Sequence, residues 1–449
     1  MKSEFLSTCQ VATPLDIVDC MWKIALSHRH QFDRVLDLGA GDGRFSIPGG
    51  YKSYVGYEVD ENRLPQSSLP KGARIYNKDA FSDWSHNFDL CIGNPPYIRA
   101  NRLDREWRKQ AITELETRAN VNLLYTANLF VFFMMLALLR TKPDGLVIQL
   151  VPFEWVSRPS ANGLREFIQK NNWHVDVYRF NQDVFDRVLT TASIAIIDKS
   201  NTDGMWSYYS LDRDFSRTQI FHPSGSEKSV LPYSDRHELA YALRGLSPGG
   251  QDVFTLTEHE RLLHGLEIDN DVCRCITSLK PLPKSVQSLT TTAFKKYYVT
   301  TGERCWLIRS DMEVLSSRLK GYLKFVGDRW KKYSTCTERD EWWRFRIHPA
   351  LPLLVASGFT HFGPKIVKNS AKVVALGSVY SVFAKGGVRA KLLEEGIRKI
   401  DFEAQVVSHS NNLKKIEIKQ LNSAIISALT AAASIDRECH AKKRARQKQ

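Results

Sequence analysis

Seven short β-rich runs alternate with helical stretches in the first 200 residues, and this alternation narrows the fold more than any other feature of the chain. The strand candidates are Val35–Leu38, Tyr54–Glu58, Arg74–Asn77, Phe88–Ile92, Leu146–Val151, Val175–Phe180 and Ala192–Ile197. The helix candidates are Pro14–Ser27, Asp104–Thr117, Leu123–Leu139 and Gly163–Lys170. Strands separated by helices pair in parallel through crossovers, which predicts an α/β domain with a doubly wound, mostly parallel sheet covered on both faces. The most apolar stretch, Val121–Leu139, is about long enough to cross a bilayer. Asn122, Thr126 and Asn128 interrupt it, however, and the continuous part, Leu129–Leu139, is too short to span. It reads as a buried helix, followed by a turn at Lys142-Pro143-Asp144-Gly145.

Polar breaks at Lys199–Gly204 and His222–Lys228 set a domain boundary between about 200 and 235, giving expected domains 1–230 and 231–449. The chain carries 63 Lys and Arg against 49 Asp and Glu, a net charge of +14. Residues 1–200 hold 24 basic and 23 acidic side chains, whereas 201–449 hold 39 and 26. A near-neutral half followed by a strongly basic one suits a second half that meets a polyanion. Basic and aromatic residues interleave there in Phe294–Tyr298, Arg329–Tyr333 and Trp342–Arg346. Lys295, Lys296, Lys331, Lys332, Arg344 and Arg346 are therefore candidate contacts, the plain alternative being solvated faces. Residues 411–433 read as a helix, and Lys442–Gln449 as a basic arm.

The eight cysteines lack C-x-x-C spacing and read as free thiols, so no metal site is expected. Met1–Gln10 has no signal-peptide form, which together with the thiols implies a cytoplasmic setting. Asp401…Glu417-Ile418-Lys419 imitates a nuclease D…E-x-K pattern, but it falls among Lys414 and Lys415 on an expected polar helix face.

The chemistry gathers at strand ends. Val35–Phe45 is a short strand carrying Asp37 into a turn with Gly39, Gly41 and Gly43. Such glycines admit a ligand close to the backbone. The next strand ends at Glu58, placed to accept ribose hydroxyls, and the third at Asp79, with Phe81 as an apolar wall for an adenine. The turn alone leaves S-adenosylmethionine, a dinucleotide or a merely structural role open. The fourth strand runs into Asn94-Pro95-Pro96-Tyr97. The Asn94 side-chain oxygen and the Pro95 carbonyl suit a planar amino or amide nitrogen that must become tetrahedral to attack a methyl group. The prolines stiffen the turn without adding N–H donors, and Tyr97 offers a stacking face. A plain Asn-Pro-Pro turn is the competing reading.

At these residues the chain resembles the gamma-class N6-adenine DNA methyltransferases of restriction–modification systems. The order matches: Thr13-Pro14, the glycine loop, the acidic strand ends, then Asn94–Tyr97, with a basic region afterwards. The resemblance covers residues 10–200 strongly and 235–449 mostly by position. It implies a class I methyltransferase fold with a seven-stranded sheet, and a second, mixed α+β DNA-recognition domain. It implies S-adenosylmethionine as cofactor, with Thr13, Asp37, Gly39, Gly41, Glu58, Asp79 and Phe81 contacting it. It implies Phe185, in Asp183-Val184-Phe185-Asp186, as the second face of a slot for a flipped adenine. Duplex DNA is the implied partner of a monomer, beside a possible cognate restriction endonuclease. Glutamine N5 protein methyltransferases share the same tetrad, an RNA acceptor fits it equally, and a noncatalytic DNA-binding module is the third reading.

Overall fold

The computed structural model describes residues 12–181, 191–212, 215–221, 231–360, 362–386, 388, 390–406, 408–410 and 413–431. The chain divides into two compact units, Met1–Val230 with Val407–Asn412, and Leu231–Val406 with Leu413–Gln449.

The first unit is built on one nine-stranded sheet. Its strands are β1 (Phe32–Asp37), β2 (Tyr51–Glu58), β3 (Ala73–Asn77), β4 (Phe88–Gly93), β5 (Thr141–Pro152), β6 (His174–Phe180), β7 (Ala192–Asp198), β8 (Trp206–Leu211) and β9 (Arg217–Phe221), in the order β3-β2-β1-β4-β5-β7-β6-β8-β9. Strands β1 to β5 pair in parallel, β7 runs antiparallel to both β5 and β6, and β6 therefore points the same way as β1 to β5. The seven expected strands are all present, and β8 and β9 extend the β6 edge. The reversal from β1 to β4 on either side of the first strand opens the crevice where such sheets bind ligands.

Successive residues of a strand face opposite sides, and both sides are covered. Leu36, Cys91, Val147 and Ile197 pack with α2 (Arg105–Ala119), α3 (Leu129–Arg140) and α4 (Asn162–Lys170). Val35, Leu90, Ile92 and Ile148 pack with α1 (Leu15–His28). Helix α3 is buried nearly all round, which explains its unbroken apolar sequence. It starts at Leu129 rather than Leu123, since Leu124 to Ala127 close a turn first. The expected turn at Lys142–Gly145 falls within β5, where the register slips: Phe88 faces Thr141 and Leu90 already faces Leu146, so residues 142–145 stand opposite Asp89 alone.

The second unit is mixed α+β. One four-stranded sheet joins Ala240–Leu243, Val379–Ala384, Leu353–Ala356 and Ile366–Lys368; another joins Thr255–Leu256, Trp306–Ile308, Val272–Ile276 and Val374–Ala375. The expected helix over 411–433 is shorter: Leu413–Lys415 is a strand and helix runs over 418–431. No helix among the described residues is long and apolar enough to cross a membrane.

Candidate active site

Parallel strands deliver their carboxyl ends to one edge, so the turns after β1, β2, β3 and β4 share that edge. Asp37, the last residue of β1, is buried. Its Oδ2 accepts from the Tyr54 hydroxyl at 2.6 Å and its Oδ1 from the Gly39 amide at 3.3 Å. A Cβ at Gly93, on neighbouring β4, would stand 2.4 Å from Asp37 Oδ1, so β4 can pass only as glycine there. Asp37 thus supports the glycine loop from beneath.

Beyond it, Gly41 has φ +51° and donates its amide to Glu58 Oε2 at 3.0 Å; the Asp60 amide donates to Oε1 at 2.8 Å. Glu58 therefore clamps the loop to the end of β2. Each carboxylate oxygen has a second lone pair, and both keep capacity for a hydroxyl donor. At the end of β3, Asp79 Oδ1 accepts from the Phe81 amide at 3.0 Å and Oδ2 from Trp107 Nε1 at 2.7 Å. The Phe81 ring meets Trp84, Trp107 and Phe133 edge-on, with centroids 6.1, 5.3 and 5.6 Å apart. Asp79 and Phe81 thus stand together in an aromatic wall.

The Asn94 turn touches the glycine loop. A Cβ at Gly39 would meet the Asn94 carbonyl oxygen and Pro96 Cδ, each at 3.6 Å. Asn94 Nδ2 donates to Thr13 Oγ1 at 3.0 Å, which turns the amide so that Oδ1 points away from Thr13. Thr13 is itself buried, and its carbonyl accepts from Arg44. Tyr97 donates its hydroxyl to the Leu150 carbonyl on β5 at 2.9 Å, and its ring meets Phe130 edge-on at 6.3 Å. Burial pushes its phenol pKa up, so the ring is a neutral surface at any working pH.

The structure thus gathers Thr13, Asp37, Gly39, Gly41, Glu58, Asp79, Phe81 and Asn94–Tyr97 along one sheet edge. Phe185 and the basic arm Lys442–Gln449 lie outside the described residues. Sequence reasoning missed Trp107, Tyr54 and the Thr13–Asn94 link. All three depend on contacts across 17 to 81 residues of chain, which no local pattern reports.

In the second unit the candidate cations separate into two groups. Lys331 pairs with Asp328 at 2.9 Å, Lys332 with Asp252 at 3.0 Å, and Arg344 with Glu341. Lys295, Lys296 and Arg346 are exposed and carry no salt bridge among the described residues. The interleaved aromatics face inward: Trp342 stacks on Trp330 with centroids 5.3 Å apart, and Trp342 and Phe345 both cover the buried Phe254. Asp401 caps the short helix after it, while Glu417 and Lys419 lie near Arg244 and Asp235. No metal-holding group of three or more His, Cys, Asp or Glu occurs among the described residues.

Burial raises the Asp37 carboxyl to about 7, against the opposing hydrogen bonds from Tyr54 and Gly39. A carboxyl whose pKa is raised by folding stabilises the fold fully below its unfolded pKa near 4 and loses that contribution as pH rises through about 7. Asp37→Asn removes this dependence. The melting temperature of the variant minus that of the unaltered protein should rise between pH 4 and 7 and then level off. A difference that stays flat over pH 4–8 contradicts the placement.

Residues 56–185 match the family Eco57I restriction-modification methylase, and residues 235–396 match the type II methyltransferase M.Eco57I, C-terminal domain. The chain is 21% identical over 471 residues to the type II methyltransferase M.AccI of Acinetobacter calcoaceticus, covering 93% of this chain and 85% of that one. It is 27% identical over 197 residues to the type II methyltransferase M.HincII of Haemophilus influenzae, covering 43% of this chain and 38% of that one. The chain thus spans most of the first relative and under two thirds of the second. Among solved structures, it is similar to the methyltransferase subunit of a type I restriction-modification system from Streptococcus thermophilus, with 17% identity and a TM-score of 0.39, covering 49% of this chain and 52% of that one.

Proposed function

Because the chain belongs to the Eco57I-type restriction-modification methylases, we propose that it moves a methyl group from S-adenosylmethionine to the N6 amino group of an adenine flipped out of duplex DNA. The observation that carries this reading is the Asn94 turn, set at the carboxyl end of β4, in contact with Gly39 and tied to Thr13.

An adenine amino nitrogen shares its lone pair with the ring and is a poor nucleophile. Asn94 Oδ1 and the Pro95 carbonyl accept its two hydrogens and favour a tetrahedral nitrogen, whose lone pair then points out of the ring plane. Such acceptors act as the geometry changes, so they stabilise the transition state more than the bound base. A methyl group delivered to this lone pair would leave one surplus proton on the nitrogen, which Asn94 Oδ1 or the Pro95 carbonyl would hold by its hydrogen bond until it passes to solvent. Thr13 is a positioning residue here: by taking the Asn94 amide N–H it keeps the oxygen turned to the base. The hydroxyl bond from Tyr97 to Leu150 holds the ring in one orientation for stacking.

S-adenosylmethionine supplies an electrophilic methyl group with a neutral thioether as leaving group. The residues present fit it: Gly39 and Gly41 leave room along the loop, Glu58 accepts from the ribose, and Asp79 with Phe81 receives the adenine ring. In this reading the second unit supplies most of the DNA affinity, and a cognate restriction endonuclease is the natural partner of the system.

Lys295 and Lys296, like Arg346, are phosphate candidates, being exposed and without a salt bridge among the described residues. Replacing both with Ala should flatten the slope of log affinity against log salt by about 0.9 for each phosphate no longer neutralised. A full slope in the double variant sinks their assignment. The acceptor class is tested by offering labelled cofactor with duplex DNA, RNA and soluble protein side by side. Label entering DNA supports the reading, and label entering only RNA or protein overturns it.

A further inference from the structure

Arg179 lies in β6 at the carboxyl edge of the sheet, the same edge as the Asn94 turn. It stands between Ser193 on β7 and Ser210 on β8, on the side of the sheet covered by α3. The guanidinium sits over the Phe153 ring, 5.6 Å from its centroid, just past the end of β5. The side chain is half-buried, and its charge is partly desolvated, which lowers its pKa. Among the described residues it makes no hydrogen bond and no ion pair. Among the described residues, the acids on neighbouring segments are engaged elsewhere: Glu154 with Arg158 at 3.0 Å, and Asp212 with Asn181 at 2.6 Å.

A guanidinium carries five donors in a planar fork, and withdrawing it from water without an acceptor costs free energy. Other arginines of the first unit show the usual outcome. Arg165 spends its donors on the Trp155 and Arg158 carbonyls, and Arg140 on Asp83, the Tyr57 hydroxyl and the Ser85 carbonyl. Arg179 differs from both, and it does so at the ligand-binding edge.

We propose that Arg179 binds a backbone phosphate of the DNA strand that carries the extruded adenine. This rests on the function proposed above. The forked donor geometry of arginine matches two phosphate oxygens, and the Phe153 ring holds the fork in place. The position suits the nucleotide rather than the cofactor. Strands β4 and β6 are three strand intervals apart, about 14 Å, a span that an extended arginine and one nucleotide bridge together. The cofactor residues lie on the opposite side of β4, at the ends of β1, β2 and β3. The contact would hold the flipped nucleotide by its backbone while the Asn94 turn holds its amino group.

The test pairs a protein change with a substrate change. Arg179→Gln should lower kcat/KM for duplex DNA roughly 10- to 100-fold and reduce the salt slope of DNA binding by about 0.9. Cofactor affinity and melting temperature should stay put, and Arg179→Lys should recover the salt slope with part of the rate. A duplex in which one phosphate flanking the target adenine is replaced by an uncharged methylphosphonate should bring the unaltered protein down to the Arg179→Gln level. That same duplex should cost the variant nothing further. Multiplying losses at both flanking phosphates would overturn the proposal. So would weakened cofactor binding, which assigns Arg179 to the methionine carboxylate. If the unaltered protein methylates no DNA adenine, the function proposed above fails first, which is a different result from multiplying losses.

Discussion

Asn94→Ala is expected to cut the single-turnover methylation rate by roughly 100- to 1,000-fold, the scale of losing one acceptor or donor that acts in the transition state. DNA and cofactor affinity should stay within a fewfold of the unaltered protein, because the side chain touches the amino group mainly as it becomes tetrahedral. The variant also unties Thr13, whose Oγ1 loses its donor. Thr13→Val separates the two effects: it keeps the Asn94 oxygen but frees its orientation. A smaller loss from Thr13→Val than from Asn94→Ala fits the account. A near-normal single-turnover rate for Asn94→Ala contradicts it.

Glu58→Ala should weaken cofactor binding by roughly 10- to 100-fold and also destabilise the protein. Its two oxygens take the Gly41 and Asp60 amides inside a buried turn. Removing them leaves two amide donors without a partner, each costing roughly 1–3 kcal/mol unless water replaces the carboxylate. Glu58→Gln keeps one acceptor oxygen and should fall between the two in both measurements. Calorimetry checks the affinity and thermal melting the stability. Unchanged cofactor affinity in Glu58→Ala would remove Glu58 from the ribose site and leave it a purely structural clamp.

Much of this architecture was legible because it is local. The strands up to β7 were signalled by short apolar runs between helices, and the glycine loop, Glu58, Asp79 and Asn94–Tyr97 were legible by their place at strand ends. Positions that long-range docking decides were not. Nothing near Trp107 in the sequence announces that its indole reaches Asp79, and nothing near Thr13 that it holds Asn94. The place of Asp37 beside the loop is legible, but not that the Tyr54 hydroxyl holds its carboxyl beneath that loop. The Pro, Asp and Gly of Lys142–Gly145 signal a turn, but nothing local signals that β5 runs on through it with a slip of register. The basic clusters are a similar case. Composition counts charges without their partners, and Lys331, Lys332 and Arg344 turn out to be paired within the second unit. The aromatics among them serve the core around Phe254.

In the proposed reaction the Asn94 turn directs methyl transfer to the exocyclic nitrogen of adenine. The direct measurement is to methylate plasmid DNA with labelled S-adenosylmethionine, digest it to nucleosides and identify the labelled one by chromatography and mass. The label is expected in N6-methyldeoxyadenosine and should disappear with Asn94→Ala. Label in a methylated cytosine, or label that persists in the Asn94→Ala reaction, would contradict it.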